Sequence, residues 1–212
     1  MNDFTQFRQE YSGKPVEIDQ LATDPFIQFS KWFDDAVDAK IKEPNAMTLA
    51  TADENGRPSC RVVLLKDFKP DGFTFYTNYK SRKGHEILIN PHVSLLFFWG
   101  EQQRQIRIYG SVEKTNEKES DTYFFSRPLR SQVAAVISSQ SSVIQSRVIL
   151  EKNFETTLEK CQKEGISRPP HWGGFHVTPE EFEFWQGQAD RLHDRIRYRL
   201  QDGVWIRERL SP

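Results

Sequence analysis

Residues 46–78 read AMTLATADENGRPSCRVVLLKDFKPDGFTFYTN. Apolar runs of strand length alternate here with two-residue turn signals. Met47 to Ala52 predicts a strand, Asn55-Gly56 a hairpin turn and Cys60 to Lys66 a second strand. Asp71-Gly72 marks another turn, and Phe73 to Thr77 a third strand. Strands joined by such short turns run antiparallel. Downstream, Ser81 caps a short helix that runs to Ile89 and stops at Asn90-Pro91. Val93 to Trp99 is almost continuously apolar, which predicts a strand buried on both faces. Gln105 to Val112 alternates as a further strand. Residues 117–125, 130–137 and 147–163 read as helices. Phe175 to Val177, Arg195 to Leu200 and Val204 to Arg209 read as strands. Upstream, Asp24-Pro25 is an N-cap followed by proline in the first turn. Phe26, Phe29, Phe33, Val37 and Ile41 then recur at helical spacing, so 25–43 reads as an amphipathic helix ended by Pro44. Residues 1–23, broken by Gly13 and Pro15, read as a mobile arm, and 24–212 as one domain. The expected fold is mainly β with peripheral helices (α+β), an antiparallel sheet or barrel.

Composition narrows the function classes. The chain has 212 residues, with 29 Lys and Arg against 30 Asp and Glu. That balance argues against a bulk nucleic-acid binder. No apolar run approaches the ~20 residues of a membrane span. Two cysteines, Cys60 and Cys161, cannot build a disulfide framework, so a cytoplasmic, reducing setting is expected. Cys60, inside a strand, reads as a small packing residue. The charge is unevenly spread: residues 57–150 carry 14 basic and 8 acidic side chains, while residues 1–56 carry 5 and 11. Residues 122–150 hold Arg127, Arg130 and Arg147, many serines and glutamines, and no acid. A basic, donor-rich segment in a neutral chain suits a small anion; an ordinary solvated basic face fits the charge count equally.

Four motifs stand out. Arg61 to Lys66, RVVLLK, puts a cation at each end of a strand, as an anion grip or as a bland edge strand. Thr77 to Lys83, TNYKSRK, gathers a hydroxyl, a serine cap and two cations at a helix start, where free amides and the helix dipole favour phosphate. A solvated basic turn reads equally well from the same residues. Tyr123, Arg127 and Ser131 recur every fourth residue, with Pro128 imposing a bend between them. Phenol, guanidinium and hydroxyl make a second candidate phosphate clamp. Phe182 to Arg195, FEFWQGQADRLHDR, offers Trp185 to a flat ring. On a strand, Arg191, His193 and Arg195 would face one side together. Dinucleotide fingerprints, P-loops and metal-ligand spacings are not found, so no metal is expected.

Taken together, RVVLLK, YTNYKSRKG at 76–84, RQIRIYG at 104–110, YFFSRPLRSQ at 123–132, SSQSS at 138–142, WGGF at 172–175, EFWQGQADRLHDR at 183–195 and the ending ERLSP resemble the FMN-dependent pyridoxamine/pyridoxine 5′-phosphate oxidases. The resemblance runs from about Arg8 to Pro212, with Phe125 departing from the histidine common in the family. It implies a split β-barrel of the FMN-binding type, working as a homodimer with FMN at the subunit interface. It implies FMN contacts from Arg61, Val62, Val63, Leu64, Leu65, Lys66, Tyr76, Thr77, Arg82, Lys83, Gln105, Gln140, Ser141, Trp185 and Arg195. Lys66, Tyr123, Arg127 and Ser131 would hold the substrate phosphate. Arg191, Leu192 and His193 would lie against the pyridine ring, with Arg191 and His193 assisting catalysis. Arg8 and Tyr11 resemble lid residues that close over substrate. The implied reaction oxidises a phosphorylated B6 vitamer to pyridoxal 5′-phosphate, with oxygen as acceptor and hydrogen peroxide as product. The alternative is a split-barrel flavin binder with another substrate or no oxidase activity.

Overall fold

The structure, a computed structural model, describes residues 3–7 and 10–212. Asp24 caps helix α1 (Pro25–Asp38) by accepting from Phe26 N. The helix stops earlier than its apolar spacing predicts, at 38 rather than 43. Lys40 turns left-handed, φ 57°, and Ile41 N donates back to Ala36 O, so the chain reverses before Pro44. Gln28, Phe29, Trp32 and Ala36 form its buried face.

The quoted stretch folds into β1 (Ala46–Ala52), β2 (Pro58–Leu64), the short β3 (Asp67–Lys69) and β4 (Gly72–Asn78). Gly56 supplies the left-handed residue of the first turn, φ 74°. Strand β2 ends at Leu64, so Leu65 and Lys66 lie beyond it. Helix α2 (Arg82–Ile89) leads to β5 (His92–Trp99) and β6 (Arg104–Lys114). Helices α3 (Glu117–Ser126), α4 (Leu129–Ile137) and α5 (Arg147–Glu164) precede β7 (Trp172–Gln186), β8 (Asp194–Gln201) and β9 (Val204–Leu210).

One antiparallel sheet runs β2-β1-β5-β6-β7-β4-β3, with β8 and β9 branching from β7. Lys66 N, just past β2, donates to Thr74 O in β4, which brings the two ends of the path together into a barrel. The 15-residue β7 joins the two parts: 172–177 pair with β4, 181–186 pair with β8, and β6 follows both halves. The register slips between Tyr109 and Gly110, opposite Pro179. That bulge and the Pro-Glu-Glu run conceal the strand's alternation, which is why only residues 175–177 read as strand.

Phe29, Phe73, Phe97, Phe175, Phe182 and Phe184 fill the barrel with almost no exposure. Each such side chain contributes roughly 1.5–3 kcal/mol on burial, so these six rings anchor the core. Strand β5 departs from expectation. Val93, Leu95, Phe97 and Trp99 point inward, but Phe98 on the other face is 60% exposed. Cys60 is likewise exposed on β2, not a packing residue. The arm is tied along β8 and β9: Val16 N donates to Asp194 Oδ2, and Arg207 donates to Ile18 O and Leu21 O. No described helix is long and apolar enough to cross a membrane.

Candidate functional site

Three groups of side chains account for most of the expected residues. The first forms around the N-terminus of α2. Ser81 Oγ caps the helix by accepting from Gly84 N. Lys83 Nζ reaches Gln140 Oε1 at 2.7 Å and Thr77 Oγ1 at 3.3 Å. Ser141 Oγ accepts from Arg82 N at 3.2 Å, and Asn78 Nδ2 donates to Ser138 O. The serine-rich loop after α4 is thereby laid over the helix start. Arg61 arrives from β2, donating to Thr51 Oγ1, Ser59 Oγ and Glu86 Oε2. Arg61, Thr77, Arg82, Lys83, Gln140 and Ser141 therefore form one cradle with three cations. Burial, reinforced by the nearby Arg61 charge, lowers the Lys83 ammonium to about 8.

The second group is aromatic. Tyr76 and Tyr123 stack with centroids 3.9 Å apart, and Trp172 lies next to both, 5.7 Å from Tyr76. Burial raises the Tyr76 phenol to about 12. The Arg127 guanidinium sits over the Trp172 ring at 4.6 Å, and its buried Nη1 has no hydrogen-bond partner among the described residues. Pro128 bends the chain between α3 and α4 as expected, placing Arg127 in the junction and Ser131 in the first turn of α4. Lys66, Tyr76 and Tyr123 line an 880 Å³ cavity together with Lys69, Glu119 and His176. Arg127 flanks the stack, and neither it nor Ser131 lines that cavity.

The third group lies along β6, β7 and β8. Gln105 pairs with Trp185, and Trp185 with Arg195. Directly paired residues share a sheet face, so these three form one row. Glu183, itself buried, grips Arg195 through Nε at 2.8 Å and Nη2 at 3.1 Å, and also accepts from Arg107. Arg191 and His193 do not continue this row. They lie in an irregular turn before β8, where Asp190 and Arg191 adopt left-handed conformations at φ 54° and 63°. The expected strand alternation of 191, 193 and 195 therefore fails: Asp194 is the first residue able to pair, with Gln186. Gln188 N donates to His193 Nδ1, which places that ring's hydrogen on Nε2. The Tyr11 ring meets Trp185 and His193 edge-on at 5.6 and 5.4 Å. Tyr11, Arg191 and His193 line a second cavity of 390 Å³. Leu192 is largely exposed nearby. Arg8 lies outside the described residues.

The two cavities share no residue. Val62, in the RVVLLK strand, faces outward and is 67% exposed. Glu86 was not singled out from the sequence, and Trp172 and Glu183 stood only as members of the WGGF and EFWQGQADRLHDR runs, with no role given. The signal for Glu86 was its i,i+4 spacing from Arg82.

Comparison with known proteins bears on this arrangement. Residues 33–161 match the family model described as pyridoxamine 5′-phosphate oxidase. Residues 172–212 match the pyridoxine 5′-phosphate oxidase C-terminal dimerisation region. A pyridoxine/pyridoxamine 5′-phosphate oxidase of Nostoc punctiforme is 52% identical over 206 residues, covering 97% of this chain and 96% of that one. One from Paraburkholderia phymatum is 50% identical over the full length of both chains. Among solved structures, PhzG from Burkholderia lata, in complex with tetrahydrophenazine-1-carboxylic acid, has a TM-score of 0.89 at 32% identity, covering 95% of this chain and all of that one. A pyridoxamine 5′-phosphate oxidase-related, FMN binding protein from Nostoc punctiforme has a TM-score of 0.71 at 17% identity, over 91% and 99% of the chains, a likeness of fold. The barrel is thus the split barrel expected from the sequence.

Proposed function

The chain belongs to the pyridoxamine 5′-phosphate oxidase family, and from that premise we propose that it oxidises pyridoxamine or pyridoxine 5′-phosphate to pyridoxal 5′-phosphate in a homodimer with FMN at the subunit interface. The observation that carries the substrate reading is the buried, unpartnered Nη1 of Arg127 beside Tyr123. A buried guanidinium N–H without an acceptor is costly, and a phosphate oxygen is the acceptor it lacks. Lys66, Tyr123 and Ser131 complete that clamp.

The α2 cradle fits a second phosphate, that of FMN. Arg61, Arg82 and Lys83 offer charge, Thr77 and Ser141 hydroxyls, Gln140 an amide, and α2 its free N–H groups. Val62, Val63, Leu64 and Leu65 offer backbone and apolar contact to the ring system, with Tyr76 alongside. Gln105, Trp185 and Arg195 would come from the other subunit, which gives the separate cavities of one chain a reason. When bound, FMN supplies the two-electron acceptor that oxygen regenerates, with release of hydrogen peroxide. The protein's own part is placement. The two anion sites hold the two rings at a set distance and angle. Arg191, Leu192 and His193 position the pyridine ring, with His193 Nε2–H able to donate to a substrate oxygen. Tyr11, on the 1–23 arm and edge-on to Trp185 and His193, would exclude water over the ring. The unpaired cysteines favour a cytoplasmic location.

A second reading has its own support. The flat Tyr76–Tyr123–Trp172 stack beside an unpartnered arginine also suits a tricyclic carboxylate such as the one bound to PhzG. FMN-loaded protein given pyridoxine 5′-phosphate or tetrahydrophenazine-1-carboxylic acid discriminates the two by peroxide release. Peroxide from the vitamer alone supports the proposal. Peroxide from the tricycle alone moves the assignment, and none from either leaves a flavin binder without oxidase activity.

A further inference from the structure

Glu86 lies on α2 one turn after Arg82, and its side chain is 5% exposed. A carboxylate in such a place is costly unless its lone pairs are filled. Here they are. Oε2 accepts from Thr51 Oγ1, from Ser59 Oγ at 2.6 Å and from Arg61 Nη2 at 3.2 Å, while Oε1 accepts from Arg82 Nε at 2.8 Å. Glu86 thus bridges two of the three cradle cations, one from β2 and one from α2. Nothing else joins them: among the described residues no other carboxylate pairs with either arginine. Burial disfavours the charge, but the four hydrogen bonds outweigh it and hold the carboxyl at about 2.

We propose that Glu86 is a positioning residue for the FMN phosphate, aligning Arg61 and Arg82 before the ligand arrives. The inference rests on the FMN reading of the cradle. Two effects oppose each other in it. As a charge, Glu86 repels a phosphate dianion. As a brace, it holds two long side chains that would otherwise lose rotamer freedom on binding. The bridging geometry, with an arginine on each oxygen, points to the brace. A glutamine at this position has one acceptor oxygen and must turn its amide nitrogen towards one set of donors. One arginine is then released.

The test compares FMN with riboflavin, which has the ring system but no phosphate, by quenching of flavin fluorescence on titration with apoprotein. Binding of FMN by the unaltered protein tests the cofactor reading by itself. Given that, Glu86→Gln is expected to weaken FMN by about tenfold, the scale of one charge-assisted hydrogen bond, and to leave riboflavin unchanged. Unchanged FMN affinity, tighter FMN or equal weakening of both flavins overturns the proposal. Ser59→Ala, which removes one of the Oε2 bonds, keeps the question open to test where Glu86→Gln fails to fold. A smaller loss confined to FMN supports the brace, and no selective loss overturns it.

Discussion

Arg127 shows what a single side chain contributes. Its guanidinium lies on Trp172, and its buried Nη1 has no hydrogen-bond partner among the described residues. Arg127→Ala is expected to raise KM for pyridoxine 5′-phosphate by about tenfold to a hundredfold, the worth of a charge-assisted pair. Steady-state peroxide assays check this, and an unaltered KM removes the clamp. Lys83 carries a pH dependence. Burial and Arg61 hold its ammonium at about 8 in the free cradle, and a phosphate dianion favours the charged form. FMN binding is therefore full below that value and weakens as pH rises through it, by up to about tenfold per unit. Titrations between pH 7 and 9.5 should show the loss for FMN and none for riboflavin. Most of these residues were legible in the sequence because cations, a cap and hydroxyls cluster locally. Glu86 and Glu183 were not, because a buried carboxylate and a solvated one look alike until the strands that satisfy them are in register.

At the scale of elements, turn chemistry carried the reading. Asp24, Ser81 and Pro128 act where their side chains predict. The errors fall where tertiary pairing overrides local pattern. Strand β7 escaped because its bulge breaks the two-residue period, and the shared face that Arg191, His193 and Arg195 would have on a strand is lost because the chain turns irregularly before β8. The bulge also yields a prediction. A Cβ on Gly110 would stand 2.1 Å from Thr178 O and 2.9 Å from Pro179 Cα, both backbone atoms. Gly110→Ala must shift one strand against the other, and is expected to cost about 1–3 kcal/mol. Urea unfolding should show a lower midpoint with an unchanged slope. An unchanged midpoint would mean that the β6–β7 register is softer than the bulge implies.

At the scale of the whole molecule, residues 172–212 match a dimerisation region, which points to a second copy. The outer face of the sheet sets Phe98 opposite Gln105, in line with Trp185 and Arg195, and the neighbouring Val62 and Tyr109 are exposed on the same sheet. An exposed apolar face continuous with the Gln105–Trp185–Arg195 row suits a second copy, and on the proposed reading that row would serve the partner's flavin. Light scattering is expected to give twice the 24.9 kDa chain mass, and Phe98→Glu to give monomers that lose FMN. Monomers that keep FMN would place the flavin within one chain. The near-zero net charge conceals this design, since the basic middle segment supplies the cradle and clamp while acidic residues gather at the N-terminal end. If two phosphate sites hold a flavin and a phosphorylated pyridine, kcat/KM of the FMN-loaded protein separates pyridoxine 5′-phosphate from unphosphorylated pyridoxine. The phosphorylated substrate is expected to turn over, with a value at least about a hundredfold lower without the phosphate; equal values, or no turnover of either with FMN bound, would show that the Arg127 clamp does not hold a substrate phosphate.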